Sequence, residues 1–529
     1  MEGAEYTIDN KYSTPTGLIY IFNLIIGTGA LTLPHAIQET GWILGSILLT
    51  LICFFSFVTV TFVLEAMATT NAIRQWRKLG ELRRISSYLR ESVTSSVDRL
   101  TDTSMETVLE DPFSWENQPL NGTGTMDSRN TANLLPNFPT EPKVLYTLET
   151  KVEMAEMSAM YFSRVGRSLF FLVLVVYLFG DLAIYCATVS KSLVNIVCDP
   201  LASDVPPINN QTLQCLHNYA ITRQTTYYVF VALFVLLLGP FVFFNVHKTK
   251  YLQVLTSVMR CAAFFIMTVL ATVRLFSNDL PHGTPSPIVW SGLTTMFGCG
   301  VYSFMCHHSL PSVVTPMENK TQIVKLTGFD LMLVLLVYLC LSLTGVFAFP
   351  VIADVYSLNF VPDTRSGNTG LEFVDYFLIL FPVITLSTSF PIIAVTLRNN
   401  LQAILFPHQH SSWLLRDIAV PSVVVLIPVI IALSTNDISL LVGVTGSYGG
   451  ACIQYVIPAF IVIFSRADLP EDLKHVPNHF RSPFKSFLWP ILILVWAGIT
   501  IAFVTINHID TFFETLIIDI TQKVTPGLT

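Results

Sequence analysis

Eleven apolar segments alternate with polar ones along the chain. Each is close to the ~20 residues that a helix needs to cross the hydrocarbon core of a bilayer. We therefore predict an all-α integral membrane protein with about 11 transmembrane helices. The predicted spans are residues 15–38, 41–67, 168–198, 225–246, 254–276, 288–315, 326–350, 371–397, 417–434, 439–464 and 484–507.

Two of these segments contain the pattern Gly-x-Gly near the middle of the predicted span. The first segment contains Gly27 and Gly29, and the sixth contains Gly298 and Gly300. We predict that both helices unwind there, and each is the first of a set of five spans. Because unwound backbone is tolerated inside a bilayer only where it is buried in protein or lines a cavity, this pattern predicts a secondary transporter with a binding site at the midplane.

Composition supports a membrane protein and excludes other classes. The chain is 52% hydrophobic and only 12% charged, whereas soluble domains carry about 25% charged residues. The net charge is −7, and Lys and Arg are spread over loops, so we expect no nucleic-acid partner. No pairing of a nucleophile with a base and no phosphate-binding loop is apparent, and we do not expect an enzyme. The polar start of the chain predicts no cleavable signal peptide.

The distribution of Lys and Arg predicts the orientation. Basic residues are numerous in alternate loops, which the positive-inside rule places in the cytoplasm. The opposite loops contain only Arg223, Arg365 and Lys523. Residues 1–14 are therefore predicted to be cytoplasmic, and residues 508–529 extracellular or lumenal. The membrane is either the plasma membrane or an endolysosomal one.

One loop on the predicted outer side carries signs of an oxidising compartment. Cys198 and Cys215 bracket this loop and are predicted to form a disulfide, and Asn210 begins a glycosylation sequon. These features agree with the orientation that the charge rule predicts independently.

The largest polar insertion, residues 71–167, is predicted to be cytoplasmic. Ser, Thr, Arg, Pro and Asn are so frequent in it that we expect most of it to be disordered. Its end, residues 149–167, has apolar residues at helical spacing and predicts an amphipathic helix at the membrane surface. The insertion is either a passive linker or a site of phosphorylation and of cytoplasmic regulators.

The first predicted break suits an anion. Unwinding would free the backbone amides of Thr28, Gly29 and Ala30 at the positive end of the outer half-helix, where a carboxylate could bind. The alternative is that these glycines only allow close helix packing.

The second predicted break suits a cation. There we expect freed carbonyls to hold an ammonium group, with Tyr302 in the cavity wall; the carbonyls are those of Phe297, Gly298, Cys299 and Gly300. His307 follows in the same span and either bonds another helix or contacts a proton or the substrate. Its neighbours Cys306 and His308 do not make a metal site with it, because consecutive helical residues point apart.

Two further features of the spans are candidates for chemistry. Ser387, Thr388 and Ser389 in the eighth span offer oxygen ligands that, with carbonyls of the first break, could coordinate a small monovalent cation. Hydroxyls of this kind also serve as ordinary contacts between helices. Asp181 lies near the middle of the third span and is the best candidate there for a functional or paired charge.

Four motifs carry a family resemblance. They are FNLIIGTGALT at 22–32, YSFMCHHSLP at 302–311, FPIIAVTLRNN at 390–400 and IQYVIPAF at 453–460. Together with the span count they resemble the amino acid/auxin permease branch of the amino acid–polyamine–organocation superfamily. The resemblance covers both halves of the chain and excludes chiefly the insertion at 71–167.

The resemblance implies a LeuT-like fold, in which spans 1–5 and 6–10 form a 5+5 inverted repeat with broken helices 1 and 6, and span 11 is accessory. In sodium-coupled relatives an Asn four residues before the first break glycine, and a Thr two residues before a Pro in span 8, help to bind sodium. Asn23 matches the first position beside Gly27, and Ser389 stands at the second. The coupling ion is therefore either Na+ or H+, and we expect no other metal or cofactor.

These observations predict a secondary active transporter of a small zwitterion, an amino acid, that works by alternating access. The alternative is a transceptor, which would bind an amino acid and signal through its cytoplasmic insertion with little flux. The expected partners are the small solute and the lipid bilayer.

Overall fold

The structure, a computed structural model, describes residues 11–103, 145–198, 213–216, 219–244, 250–277, 281–360, 372–406, 412–435 and 437–524. We call the end of the molecule that is predicted to face the cytoplasm the inner end, and the opposite end the outer end. The α-helices are α1 Thr14–Ile25, α2 Gly29–Thr40, α3 Trp42–Thr103, α4 Met154–Tyr161, α5 Arg164–Val197, α6 Arg223–Leu238, α7 Lys250–Leu275, α8 Leu293–Ser303, α9 Leu310–Val314, α10 Ile323–Ala348, α11 Glu372–Leu405, α12 Val420–Ser434, α13 Ile438–Thr445, α14 Ile457–Ala467, α15 Glu471–Lys474 and α16 Leu488–Val524. Short 3-10 helices cover Gly239–Phe243, Trp290–Gly292 and Tyr356–Phe360, and π-helices cover Leu414–Ala419, Gly446–Gly450 and Cys452–Val456.

The protein is an all-α membrane protein, as predicted. Among the described residues, nine helices are long and apolar enough to cross a membrane, and α1 and α2 together form a tenth span that bends by 51°. The sixth predicted segment, 288–315, consists of α8 and α9 with non-helical residues 304–309 between them. The last helix, α16, continues beyond the predicted end of its span at 507.

The first span breaks where its glycine pair predicts. Ile26 is extended at the end of α1, and α2 begins at Gly29. The second break differs from the prediction, because Gly298, Cys299 and Gly300 are all helical within α8.

Close packing explains the glycines of α8. A Cβ atom added to Gly298 would lie 2.6 Å from the Cα atom of Gly443 in α13, so the small residue allows two helices to approach. The chain unwinds instead at 304–309, and α9 begins at Leu310 with Pro311 in its first turn, because a proline lacks the amide hydrogen that a helix interior needs and is tolerated only near a helix start. The second break is therefore at 304–309.

The insertion also differs from the prediction. Residues 71–103 are helical, since α3 continues as one helix of 62 residues from the second span. This part of the insertion has no proline, one glycine and many strong helix formers, which favour a helix although the composition is polar. The predicted disordered stretch beyond residue 103 lies outside the described residues up to 144.

The predicted amphipathic helix at 149–167 corresponds in part to α4. It packs against α3, α5 and α14, with Met154, Met157 and Tyr161 buried. The Tyr161 hydroxyl hydrogen-bonds the Thr70 hydroxyl at 2.9 Å, which ties α4 to the inner part of α3. This helix is therefore part of the protein core at the inner end.

The outer end is organised by a turn and a disulfide. Gly41, between α2 and α3, has φ 88°, and an added Cβ atom would lie 2.7 Å from the Pro287 carbonyl oxygen. Cys198 and Cys215 form a disulfide that joins the end of α5 to an antiparallel hairpin. The hairpin consists of β1 Gln214–Leu216 and β2 Tyr219–Thr222, with Gln214 opposite Thr222. The sequon residue Asn210 lies outside the described residues.

Candidate functional site

A buried chain of polar side chains connects three spans at the centre of the molecule. The Thr28 hydroxyl, at the first break, lies 2.9 Å from the Tyr302 hydroxyl of α8. Tyr302 in turn donates a hydrogen bond to the Asp181 carboxylate in the middle of α5. All three residues are less than 10% exposed. The structure thus brings together Thr28, Tyr302 and Asp181, which the sequence indicated separately.

A buried cation, Arg260 of α7, contacts the residues that precede the first break. Its Nη1 atom donates to the Ile26 carbonyl at 2.8 Å, and to the carbonyl and side-chain oxygens of Asn23 at 3.2 and 3.1 Å. Sequence reasoning missed this residue. The signal was available, because a lone Arg in an apolar span is expensive to bury and usually has a function.

The guanidinium therefore occupies the oxygen atoms of Asn23, one of the five residues that we predicted as sodium ligands. The other predicted ligands are turned towards their own helix: Ser389 and Thr388 both donate to the Thr385 carbonyl, each at 2.9 Å. Ser387 is half-buried on the same helix. Among the described residues, no group of three or more His, Cys, Asp or Glu side chains could hold a metal ion.

The predicted anion site is only partly free. The Ala30 amide donates to the Gly27 carbonyl at 3.3 Å, so the first turn of α2 already engages one of the three amides. Gly29 packs so closely against α8 that an added Cβ atom would lie 2.7 Å from the Cα atom of Ser303. At Gly27, by contrast, an added Cβ atom would meet no atom within 4 Å. The two broken spans thus meet at Gly29 and Ser303.

The prediction that the carbonyls of residues 297–300 are free to bind an ammonium group is wrong. The Cys299 carbonyl accepts from the Ser303 hydroxyl at 2.6 Å, and the Gly300 carbonyl accepts from the Phe304 amide at 3.2 Å. These carbonyls are engaged because α8 is still helical there. Phe297 and Gly298 lie within the same helix.

The unwound segment 304–309 is held from both sides. The Nε2 atom of His307 lies 2.8 Å from the Thr59 hydroxyl of α3, which is the contact between helices that the sequence left open for this residue. The Tyr338 hydroxyl of α10 donates to the Ser303 carbonyl at 3.1 Å and to the Ile25 carbonyl at 3.3 Å. One side chain therefore bonds both broken spans where their helices end.

Ion pairs tie the inner ends of the broken spans together. Glu149 pairs with Lys11, before α1, at 3.0 Å and with Lys320, after α9, at 2.9 Å. We call Lys11, Glu149 and Lys320 the inner lock. Burial alone would raise the pKa of Glu149, but the hydrogen bonds and charges of the two lysines outweigh it and hold the pKa below its usual range. Glu149 is therefore ionised at neutral pH.

A second ion pair lies at the outer end. Asp354 pairs with Lys191 of α5 and accepts from the Ile438 amide, at the start of α13, at 3.1 Å. Burial would raise the pKa of Asp354, but the charge of Lys191, its hydrogen bond and the Ile438 amide together outweigh it and lower the pKa. A cavity of about 140 Å³ opens at this end, with Glu39 and Asp437 in its wall. Ion pairs and hydrogen bonds thus connect the helices at both ends of the molecule.

Comparison with known proteins assigns the chain to a family of transporters. The family model described as "Transmembrane amino acid transporter protein" matches residues 10–90 and 143–506. Transmembrane protein 104 of Homo sapiens is 41% identical over 508 residues, which cover 94% of this chain and 97% of that protein. The homologue of Drosophila melanogaster is 40% identical over 94% of this chain and 97% of its own length, and that of Dictyostelium discoideum is 34% identical over 95% and 98%.

Proposed function

This chain belongs to the Transmembrane protein 104 family, within the amino acid transporter superfamily, and on that premise we propose that it carries a small zwitterion, an amino acid, by alternating access. The buried chain from Thr28 through Tyr302 to Asp181 is the observation on which this proposal rests. It connects both broken spans to a carboxylate in the protein interior.

A zwitterion needs donors for its carboxylate and an acceptor for its ammonium group. The Thr28 and Gly29 amides at the positive end of α2 can serve the carboxylate. Asp181 can serve the ammonium group once Tyr302 releases it, because a buried carboxylate is stable only when it is paired. The substrate would thus replace Tyr302 as the partner of Asp181. Because Tyr302 belongs to α8, its release would couple substrate binding to the movement of that helix.

We also propose that transport is driven by protons and does not need sodium. Arg260 provides a fixed positive charge at the Asn23 and Ile26 oxygens, where a sodium ion would otherwise be required. A cation cannot share these oxygens with a guanidinium without strong repulsion in a medium of low dielectric constant. Asp181, a carboxylate inside the membrane, is then the candidate proton carrier, and since it cannot bind the proton and pair with the ammonium group at once, substrate and proton would be exchanged across the membrane.

Uptake of labelled amino acids into proteoliposomes tests both parts. We expect saturable uptake that an outward proton gradient stimulates and that replacement of Na+ by choline does not change. Asp181→Asn should reduce uptake by about tenfold or more, since a hydrogen bond to a charged group contributes about 1.5–3 kcal/mol. Asp330→Asn, a buried acid of α10, is the matched control and should transport normally. Sodium-dependent uptake, or normal uptake by Asp181→Asn, would refute the proposal.

A sensor is the second candidate, because the inner lock includes Glu149 from the end of the insertion. If the inner ends of the two broken spans separate, Glu149 and the segment around it, which follows residues 104–144, should therefore move as well. A sensor should bind an amino acid, as measured by scintillation proximity, with no uptake into proteoliposomes. Uptake at a rate that depends on substrate concentration would exclude it.

A further inference from the structure

A polar cavity of about 430 Å³ lies at the inner end, away from the central site. It is bounded by the inner parts of α3 and α14, by Tyr146 and by the loop at 474–481. This volume is within the range of small-molecule sites, about 300–1,000 Å³. The transport cycle proposed above does not use it.

One side of the cavity is a neutral ion pair. Arg466 binds Glu65 through two hydrogen bonds of 2.9 and 2.7 Å, and it also donates to the carbonyls of Phe484 and Lys485. Glu65 accepts a further bond from the Ser482 amide at 3.1 Å. These partners fix both side chains and cancel their charges, so they shape the cavity without attracting an ion.

The remaining charged groups of the wall are cationic. Within the described part of the chain, the Arg481 guanidinium has no hydrogen-bond acceptor, and Lys474 pairs only with the exposed Glu471. An exposed pair of this kind is weak and easily exchanged. His475 and the side-chain amide of Asn478 add two more donors. The cavity therefore offers an excess of donors and positive charge to an anion.

The position of the cavity places it at the level of lipid headgroups. Its loop leads within a few residues to α16, where the chain enters the membrane again. Phe487 and Leu488 are exposed at this point, and the rings of Phe484 and Trp489 lie 4.7 Å apart. Aromatic residues are typical of the membrane interface, and the predicted cytoplasmic leaflet is the one that carries anionic lipids.

We propose that this cavity binds a phosphate ester with several charges, with Arg481 and Lys474 as its principal ligands. Arg recognises phosphate through two parallel hydrogen bonds, and Lys contributes a mobile positive charge. The headgroup of a phosphorylated phosphatidylinositol and a soluble inositol phosphate share this chemistry.

Binding to the full-length protein in nanodiscs separates the two sources. One arm adds phosphatidylinositol bisphosphate to phosphatidylcholine nanodiscs, a second adds phosphatidylserine, and a third adds soluble inositol hexakisphosphate to plain nanodiscs. Binding of the lipids is followed by native mass spectrometry and that of the soluble compound by calorimetry. We expect the bisphosphate lipid to bind and phosphatidylserine to bind far more weakly. Binding of the soluble compound alone would support the phosphate site but assign it a soluble ligand.

The variant Arg481→Gln should weaken binding on the order of tenfold, the effect of losing hydrogen bonds to a charged group. Lys325→Gln removes an exposed lysine at the same end of the molecule, outside the cavity, and should bind as the wild type does. If Arg481→Gln is not monodisperse, Lys474→Gln at the exposed rim serves in its place. Equal affinity of the cavity and control variants, or equal binding of phosphatidylserine, would overturn the proposal, as would no binding in any arm.

Discussion

Replacement of Glu149 by Ala should open the inner end of the protein. Alternating access requires the inner ends of α1 and α9 to part, and the inner lock holds them through one carboxylate. The ion pairs then exist only while this end is closed, so their loss shifts the equilibrium towards the open arrangement.

The size of the shift follows from the exposure of the three side chains. Lys11 is 35% exposed and Glu149 50%, so their pair contributes about 0.5 kcal/mol, as surface pairs do. Lys320 is only 4% exposed, and loss of its charged hydrogen bond costs about 1.5 kcal/mol. The sum of about 2 kcal/mol corresponds to a roughly 30-fold change in the ratio of open to closed protein.

Alkylation of Cys306 measures this ratio, because its side chain is fully buried in the unwound segment between α8 and α9. In a protein that retains Cys306 as its only free thiol, Glu149→Ala should raise the rate of reaction with a maleimide by roughly 30-fold. Glu471→Ala is the matched control, since among the described residues Glu471 pairs with Lys474 of its own short helix and connects no spans. Equal rates for the two variants would show that the lock does not hold the closed state.

The pH dependence of the lock has a definite sign. Because the pKa of Glu149 is lowered in the closed arrangement, the stabilisation is complete above the ordinary pKa of a Glu, about 4.3, and is lost only as the pH falls through the lower value. The ratio of the alkylation rate of Glu149→Ala to that of the wild type should therefore be the same at pH 7 and at about pH 5, because the loss of thiolate at lower pH slows both proteins equally. A ratio that falls towards 1 between pH 7 and pH 5 would show that another group controls the inner end.

Two further substitutions test the packing of the break and the outer loop. Gly29→Ala should destabilise the protein by about 1–3 kcal/mol through contact with the Ser303 backbone, whereas Gly27→Ala should be tolerated; the melting temperature in detergent and the uptake rate measure both. A melting temperature of Gly29→Ala equal to that of Gly27→Ala would contradict the close approach. Replacement of Cys198 and Cys215 by Ser should cost about 3 kcal/mol, the estimate for a closed loop of this size, and should abolish the effect of reductants on the melting temperature. Unchanged sensitivity to reductants would point to other cysteines.

The spans could be predicted from the sequence because each helix satisfies its own backbone hydrogen bonds inside the membrane. A span is therefore marked by one continuous apolar segment and can be recognised without knowledge of the rest of the fold. The breaks were harder to predict. Glycine marks the unwound backbone at Gly27 but close packing at Gly298, and these uses look alike in sequence. Pro311 was the better guide to the second break, since in any fold a proline fits the first turn of a helix but disrupts a helix interior.

The central site depends on contacts between distant parts of the chain. Asp181 and Tyr302 were recognisable as candidates, but the hydrogen bond between them spans 121 positions and no local pattern predicts it. Arg260 contacts Asn23 and Ile26, which are more than 230 positions away. The partner of a buried charge is set by helix packing, so the sequence could indicate that Arg260 matters but could not say that it binds Asn23, a predicted sodium ligand.

Helix α3 continues the second span without interruption, so a tilt of the span moves the far end of the helix further than the span itself. Residues 83–103 alone make up about 30 Å of the part that lies beyond the span, at 1.5 Å of rise for each residue. A tilt of the span by about 10° would therefore displace the far tip by roughly 5 Å. A protein bound to this tip would therefore be displaced further than the membrane-spanning part of the helix itself moves.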